Sequence, residues 1–376
     1  MAKPKIRFKG YQDDWEQRKL SNVVDSVDTG KSKFDKEGSS GEYPILGSTS
    51  VIGYDDEYDY EGDFILTARV GANAGSLYRH AGKVKISDNT VFIQASQNIE
   101  FLYQLLTRFD IKKLSFGTGQ PLVKASELKS LELMMPTNMK EQMRIGAYFN
   151  HLDHLITLHQ RKCEEVKKLK KFMLQKIFPQ NGSLVPEIRF DGFTDDWEQR
   201  KLGDVFRERI ERATGDEELL SVTIANGVIR QADSEKRNIA SEDKKNYKVV
   251  HQWDVPYNSM RMWQGAVGNS EYCGIVSPAY TVLIPTQEAN GKFFMELFKK
   301  ENSLKIFQRW SQGLTSDTWN LKYPVLSTIE FYIPKIDEQN KIATYFTTLD
   351  HLITLHQQKC DDLKKLKKYM LQNMFV

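Results

Sequence analysis

Two long stretches of the chain repeat one pattern of apolar and polar positions. Residues 145–178 read IGAYFNHLDHLITLHQRKCEEVKKLKKFMLQKIF, and residues 342–375 read IATYFTTLDHLITLHQQKCDDLKKLKKYMLQNMF. In both copies apolar residues recur at alternating steps of four and three, which predicts a helix with a single apolar seam. A seam sustained over this length is typical of coiled-coil pairing. At about 1.5 Å per residue, each helix would be roughly 50–60 Å long.

The predicted seam contains a polar layer in each copy. We assign to the seam the following residues of the first and then the second copy: Ile145, Phe149, Leu152, Ile156, His159, Cys163, Val166 and Met173; Ile342, Phe346, Leu349, Ile353, His356, Cys360, Leu363 and Met370. Polar residues at such positions commonly fix the register of a coiled coil, and we favour this role for the histidines and cysteines. Two His and two Cys could alternatively form a tetrahedral zinc site if antiparallel helices crossed there, which metal analysis would test. We expect no metal in this chain.

A second duplication begins each half of the chain. Residues 4–24 return as residues 186–206, and the core DDWEQRKL is identical at 13–20 and 195–202. Each half is therefore a constant front segment, a variable body and a constant helix. Because constant parts lie at both ends, we expect the N-terminal segment to complete the C-terminal helix as residues 179–206 complete the first helix. This arrangement predicts a cyclic, pseudo-two-fold molecule with antiparallel helices.

The two variable bodies are predicted to be mixed α and β. Short runs rich in β-branched and aromatic residues, punctuated by glycines, indicate strands and turns. We predict strands at 43–46, 63–68, 90–93 and 276–285, and helices at 98–109 and 293–300. The fold class is therefore α+β, with two mixed α/β bodies separated by two long helices that form an antiparallel coiled coil.

Composition limits the classes of function. The chain has 376 residues, of which 40% are hydrophobic and 27% charged, as in an ordinary soluble protein. It contains no apolar run long enough to cross a membrane and no apolar signal core, so we expect a cytoplasmic protein without a membrane partner. Three dispersed cysteines do not suggest a disulfide framework. A net charge of +3 and a pI of about 8.4 permit a nucleic-acid partner, whose binding would then depend on local clusters of basic residues.

No convincing catalytic motif is present. Gly30, Lys31 and Ser32 resemble the end of a phosphate loop, but the glycine required five residues earlier is Asp25. The sequence around Glu242 and Asp243 has a nuclease-like composition within what we interpret as a solvated loop. Neither body contains the Asn- or Asp-Pro-Pro-aromatic stretch of amino-methyltransferases. These observations favour a non-catalytic protein.

Possible base-reading side chains lie in turns rich in glycine and polar residues. Arg, Asn and Gln can contact purines through two hydrogen bonds in the major groove. The candidates are Arg69, Asn73, Gln120, Lys124, Asn258, Arg261, Gln264, Arg309 and Gln312. Taken singly, each also suits a structural or phosphate-contacting role, and we interpret Trp263 and Trp310 as core residues. The lysine runs at 167–171 and 364–368 fit either a solvated helix face or a contact with phosphate or a partner.

The layout of the chain resembles the specificity (S) subunit of type I restriction–modification enzymes. The resemblance is carried by the two DDWEQRKL segments and by the helical segments that follow Pro136 and Pro334. In the bodies, YPILGS at 43–48 with VGANAG at 70–75 is similar to one recurring type of target recognition domain. MRMWQGA at 260–266 with GIVSPAY at 274–280 is similar to another. The resemblance covers essentially the whole chain.

This resemblance implies a domain layout. Residues 1–136 would be a first target recognition domain with its repeated N-terminal segment, and residues 137–178 a first spacer helix. Residues 179–334 would be a linker and second recognition domain, and residues 335–376 a second spacer helix. Each recognition domain would bind one half of a bipartite, asymmetric double-stranded DNA target, and the helices would set the gap.

The resemblance also implies partners and leaves two alternatives. The helices would dock two methyltransferase (M) subunits, which use S-adenosylmethionine, and two restriction (R) subunits, which use ATP and Mg, would complete the enzyme. No cofactor is expected in this chain. One alternative is a stand-alone coiled-coil DNA-binding or scaffold protein without methyltransferase partners. The other is an enzyme with an unrecognised active site, which methylation or cleavage by the purified chain alone would support.

Overall fold

The computed structural model describes residues 3–33, 40–114, 121–180, 182–214, 217–234, 244–316 and 318–376. Gln120 and the nuclease-like Glu242 and Asp243 lie outside the described residues. The chain divides into two compact units: unit 1 contains residues 1–161 and 356–376, and unit 2 contains residues 162–355. Each long helix therefore supplies one part to each unit. Each unit therefore contains one predicted recognition domain together with parts of both predicted spacer helices. Each helix part packs against the body of its own unit.

The fold is α+β, and both long helices are present. The helices are α1 (Ile99–Phe109), α2 (Ala125–Ser130), α3 (Met139–Lys176), α4 (Leu202–Val205), α5 (Gly291–Phe298), α6 (Glu301–Trp310), α7 (Tyr323–Leu326) and α8 (Ile336–Asn373). In unit 1 the strands are β1 (Glu16–Lys19), β2 (Ser26–Thr29), β3 (Tyr43–Leu46), β4 (Val51–Asp55), β5 (Tyr60–Ala68), β6 (Leu77–Ile86), β7 (Thr90–Gln94) and β8 (Glu132–Met135). In unit 2 they are β9 (Glu198–Lys201), β10 (Phe206–Glu208), β11 (Leu220–Thr223), β12 (Gly227–Arg230), β13 (Lys248–Val250), β14 (Val255–Asn258), β15 (Gly274–Val276), β16 (Tyr280–Pro285) and β17 (Glu330–Ile333). In the part of the chain that the structure describes, no helix has an apolar stretch long enough to cross a membrane.

The body of unit 1 is built on a six-stranded sheet. Its strand order is β2-β7-β5-β6-β3-β4, and its pairs are antiparallel except for β3 with β6. Successive side chains of a strand point to opposite faces. Accordingly Ile65 of β5 packs in the core that contains α1, whereas Phe64 and Leu66 pack in a second apolar cluster with Phe92. The sheet is therefore buried on both faces around its central strand.

The body of unit 2 has smaller sheets and an aromatic core. An antiparallel sheet of order β10-β16-β14 lies beside the two-stranded pairs β11-β12 and β13-β15. The strand predicted at 276–285 is interrupted, because the Tyr280 amide donates to the Ser277 carbonyl at 2.9 Å and forms a turn. The predicted helix at 293–300 begins slightly earlier, where the Asn290 side chain accepts the Lys292 and Phe293 amides at 3.0 and 3.1 Å. Such an N-cap satisfies amides that have no partner within the helix.

The repeated front segments close each body onto its helix parts. In unit 1 β1 pairs with β8, and in unit 2 β9 pairs with β17. In unit 1 the Ile6 amide donates to the Asn373 carbonyl at 2.9 Å. In unit 2 the Ile188 amide makes the corresponding bond to the Lys176 carbonyl at 3.0 Å. The N-terminal segment thus completes the end of α8 in the way that residues after 178 complete the end of α3.

Parts of α3 and α8 run antiparallel in each unit. In unit 1 Asp153 pairs with Lys367, and nearer the other end of this helix pair His159 meets His356. In unit 2 Lys170 pairs with Asp350. Of the seam residues, these are buried: Ile145, Phe149, Leu152, Ile156, Cys163, Ile342, Phe346, Leu349, Cys360 and Leu363. The remaining ones are half-buried: His159, Val166, Met173, Ile353, His356 and Met370.

Candidate functional site

Three of the candidate residues of unit 1 lie in two neighbouring segments, one that follows β5 and one that precedes α2. The chain leaves β5 at Ala68, and the Arg69 carbonyl then accepts the Val123 amide at 2.8 Å. This bond brings Lys124 next to the turn that contains Arg69 and Asn73. All three side chains are exposed. Gly75 at the end of the turn has a φ of +81°, and a Cβ there would lie 2.7 Å from the Lys112 amide nitrogen, so the turn requires glycine.

The candidate residues of unit 2 lie in the last turn of α6 and on two loops that are joined by a backbone hydrogen bond. The first loop, residues 258–265, follows β14 and is anchored by the fully buried Met262. The second follows α6 and is closed by two hydrogen bonds between Gln312 and Asn320. The Leu321 amide then donates to the Ser259 carbonyl at 2.9 Å, which ties the second loop to the first. The exposed candidates are Arg261, Arg309 and Gln312, and Gln264 is half-buried.

The structure adds a contact to one assignment in this region and corrects another. The Asn258 side chain accepts the Met260 amide at 3.0 Å, so its carbonyl oxygen holds the turn. Trp310 was assigned to the core, but it is the last residue of α6 and is 47% exposed. Trp263 is half-buried, its ring meets Trp319 edge-on at 5.3 Å, and its indole N–H donates to the Met260 carbonyl at 3.1 Å. The loop is therefore fixed mainly by Met262 and Trp263.

A buried ion pair holds each front segment to the start of a long helix. In unit 1 the Arg7 guanidinium donates to both carboxylate oxygens of Glu141, at 2.7 and 2.8 Å. In unit 2 Arg189 makes the same pair with Glu338, at 2.8 and 2.7 Å. Hydrogen bonding to these carboxylates raises the pKa of both arginines. Sequence reasoning missed these two ion pairs, although Arg7 and Arg189 occupy equivalent positions in the repeated front segments.

A second set of charges joins the helix parts to the body. In unit 1 Asp153 accepts from Lys367 at 2.6 Å and from the buried Gln104 at 3.0 Å. In unit 2 Lys170 bonds to Asp350 and to the buried Glu296, both at 2.8 Å. The interpretation of Lys170 as part of a solvated face was wrong, because this lysine neutralises a buried carboxylate. These clamps fix the body relative to the helix within each unit.

The polar layer of the predicted seam brings two imidazoles together. The Nδ1 atoms of His159 and His356 are 3.0 Å apart in unit 1. In unit 2 the Cys163 thiol is directed at the Ile353 carbonyl, with Sγ 3.8 Å from the oxygen. Among the residues that the structure describes, no group of three or more His, Cys, Asp or Glu side chains could hold a metal ion.

Comparison with known proteins assigns the chain to a family. The model of the type I restriction modification DNA specificity domain matches residues 12–168 and again residues 194–365. The chain belongs to this family. The specificity chain is thus a duplicated DNA-recognition protein, and each match contains most of one front segment, one variable body and most of one long helix.

Individual relatives are distant in sequence. The specificity chain is 24% identical over 341 residues to the type I restriction enzyme MjaVIII specificity subunit of Methanocaldococcus jannaschii, covering 82% of this chain and 77% of that protein. It is 26% identical over 115 residues to the EcoprrI specificity subunit of Escherichia coli, a match that spans 30% of this chain and only 28% of that protein. A crystal structure of the type I restriction–modification S subunit from M. genitalium has the same fold, with a TM-score of 0.68 at 16% identity, over 100% of this chain and 99% of that one.

Proposed function

We propose that the body of each unit reads one half of a bipartite, asymmetric double-stranded DNA target. The observation that carries this proposal is the contrast between constant and variable parts. The two family matches share their front segments and helices, whereas one body is a six-stranded sheet and the other a set of smaller sheets around an aromatic core. Two different body surfaces, each held by equivalent front segments and helices, suit the recognition of two different half-sites.

The reading residues are assigned from exposure and chemistry. In unit 1 they are Arg69 and Asn73, with Lys124 as a phosphate contact. In unit 2 they are Arg261, Gln264, Arg309 and Gln312. Arginine and amide side chains form paired hydrogen bonds with purine edges in the major groove. Asn258, whose side-chain oxygen accepts the Met260 amide, and Gln120 stay sequence predictions.

The two long helices act as the spacer between half-sites. Each has 38 residues, which corresponds to about 57 Å of α-helix. Half-sites that are read from one face of DNA lie about one helical turn apart, near 34 Å. The helices are long enough for this spacing.

The helices also dock the methyltransferase partners. Large apolar side chains remain exposed at equivalent positions of both copies: Leu169 and Phe172 in unit 2, and Leu366 and Tyr369 in unit 1. Residues three apart share one face of a helix, and exposed apolar patches commonly mark protein interfaces. Preservation in both copies suits a partner bound twice, so two M subunits carrying S-adenosylmethionine bind here. Two R subunits, with ATP and Mg, complete the restriction enzyme.

A body exchange tests this function. Residues 21–135 are replaced by the corresponding body of another specificity subunit, and N6-methyladenine is mapped in cells that also express the methyltransferase. We expect one half of the methylated sequence to change, with the other half and the gap kept. Loss of both half-site identities, with a stable complex, would contradict separate reading by the two bodies. Binding of the methyltransferase without any methylated motif would favour the scaffold alternative.

A further inference from the structure

Unit 2 contains a cavity of about 580 Å³ that is rich in lysine and lies apart from the proposed reading side chains. It is bounded on one side by α3 and on the other by the junction of α5 and α6. Four lysines line it: Lys171, Lys176, Lys299 and Lys300. We refer to it as the lysine pocket.

The carboxylates around the lysine pocket are already used by other partners. Glu296, which also lines the pocket, accepts from Lys170 at 2.8 Å. Glu301, a further lining residue, is largely exposed and pairs with Lys305 at 2.6 Å. Lys176 is neutralised by Glu187 at 2.7 Å.

Three lysines of the pocket therefore form no ion pair, although the carboxylates of Glu296 and Asp350 act on Lys299 from nearby and favour its charged form. Within the ranges that the structure describes, no carboxylate forms an ion pair with Lys171, Lys299 or Lys300. Lys171 is exposed, and the other two are half-buried. The pocket consequently has a surplus of positive charge.

The surplus charge is partly withdrawn from water. Burial lowers the pKa of Lys299, and it lowers the pKa of Lys300 to about 8. The Lys300 ammonium lies 4.7 Å from the centre of the Phe178 ring, which stabilises the cation only in part. Removing an ammonium from water without a partner destabilises the folded state. Proteins retain such groups chiefly at functional sites.

The backbone around the pocket also favours an anion. Lys300 directly precedes α6, a helix of 10 residues whose N-terminus has no side-chain cap. Uncapped amides and the helix dipole attract negative charge. Together with the three unpaired ammonium groups, they form a site for a compact anion with several acceptor oxygens.

The lysine pocket adjoins the first loop of unit 2. A methyl group placed on Gly265 would lie 3.8 Å from Cγ of Lys299 and 3.6 Å from Leu304. The same loop carries Arg261 and Gln264. A group bound by Lys299 is therefore close to the segment that we assign to base reading.

We infer that the lysine pocket binds a phosphate group, and that in the complex this is a backbone phosphate of the DNA beside the second half-site. The choice of DNA as the source rests on the proposed function. Lysine binds phosphate as a point charge, and phosphate contacts set the position of a protein on the duplex without reading its sequence. The pocket would thus fix the register in which the loop with Arg261 meets the bases.

The test uses the full-length chain and its Lys299→Met variant, which keeps most of the apolar stem. Lys322→Met is the matched control, since it removes one exposed lysine of the same unit. Binding to a random-sequence duplex is measured by fluorescence anisotropy at several salt concentrations. In a second arm, the unfolding midpoint of each protein is followed as inorganic phosphate is added at constant ionic strength.

The two arms separate the sources of phosphate. We expect Lys299→Met to reduce the slope of log K against log salt by about 0.9, the value for one phosphate contact, whereas Lys322→Met keeps the wild-type slope. An unchanged slope, with phosphate-dependent stabilisation that only Lys299→Met abolishes, would overturn the DNA source and support a site for free phosphate. An unchanged slope without such stabilisation would overturn the phosphate site. If the wild-type chain binds no duplex, the proposed function fails. Stabilisation by inorganic phosphate would then still show whether the lysine pocket binds a phosphate group.

Discussion

Removing the arginine of a buried ion pair is expected to destabilise its unit strongly. Arg189 donates to both oxygens of Glu338, whose side chain is only 3% exposed. Arg189→Met leaves that carboxylate buried without its cation. Breaking a buried pair from one side typically costs about 3–5 kcal/mol. We therefore expect Arg189→Met to lower the free energy of unfolding by this amount.

The assay is urea unfolding of the full chain, followed by tryptophan fluorescence. Five of the six tryptophans, all except Trp15, belong to unit 2, so the signal reports mainly on that unit. Arg200→Met is the matched control, because Arg200 pairs with the exposed Glu288. An exposed pair contributes about 0–1 kcal/mol.

A double variant isolates the cause of the loss. Arg189→Met with Glu338→Gln removes the unpaired charge, so we expect at least half of the lost stability to return. A loss no greater than that of Arg200→Met would refute the reasoning. A double variant as unstable as the single one would show that packing of the arginine stem, rather than the stranded carboxylate, accounts for the effect.

Three further predictions concern recognition, charge burial and spacing. Arg261→Ala should weaken binding to the methylated motif by about 1–3 kcal/mol and relax the base preference at one position of one half-site. Binding to duplexes mutated at each position measures this, and relaxed preference in both half-sites would contradict the assignment. Burial lowers the pKa of Lys300 to about 8, so the wild-type chain should gain stability as pH rises from 8 towards the unfolded value of 10.5. In phosphate-free buffer the stability of Lys300→Met relative to wild type should therefore decrease over this window; a pH-independent difference would show that the ammonium is not desolvated. Four residues inserted after both Cys163 and Cys360 would add about 6 Å of helix and should lengthen the gap of the methylated motif while both half-sites remain readable; an unchanged gap would contradict the spacer role.

The sequence predicted the helices and the duplication well because both signals are long and periodic. The seam indicated helices from Ile145 and Ile342, whereas they begin at Met139 and Ile336. The first turns lack a clear apolar repeat, and their buried Glu141 and Glu338 are held by arginines far away in the chain. The arginine and glutamate of each pair are 134 and 149 residues apart, so no local sequence pattern indicates that they meet.

The candidate loops were found from composition, but the roles of single residues depended on the fold. Asn258 has the chemistry of a base reader, and only the fold shows that its side-chain oxygen also holds a turn. Trp310 looked like a core residue by type, and its position at the end of α6 leaves it exposed. The sequence analysis did not single out Lys299 and Lys300. They form no ion pair because the nearby carboxylates bond to other lysines, Glu296 to Lys170 and Glu301 to Lys305. Local sequence does not show which lysine will pair with which carboxylate in the folded protein.

The most direct test of bipartite recognition is a genome-wide map of N6-methyladenine in cells that express this chain with its companion methyltransferase, compared with cells that express the methyltransferase alone. We expect a new motif with two specified halves and a gap of fixed length, present only when both proteins are made. A stable complex that produces no new motif, or a motif without a gap, would contradict the account.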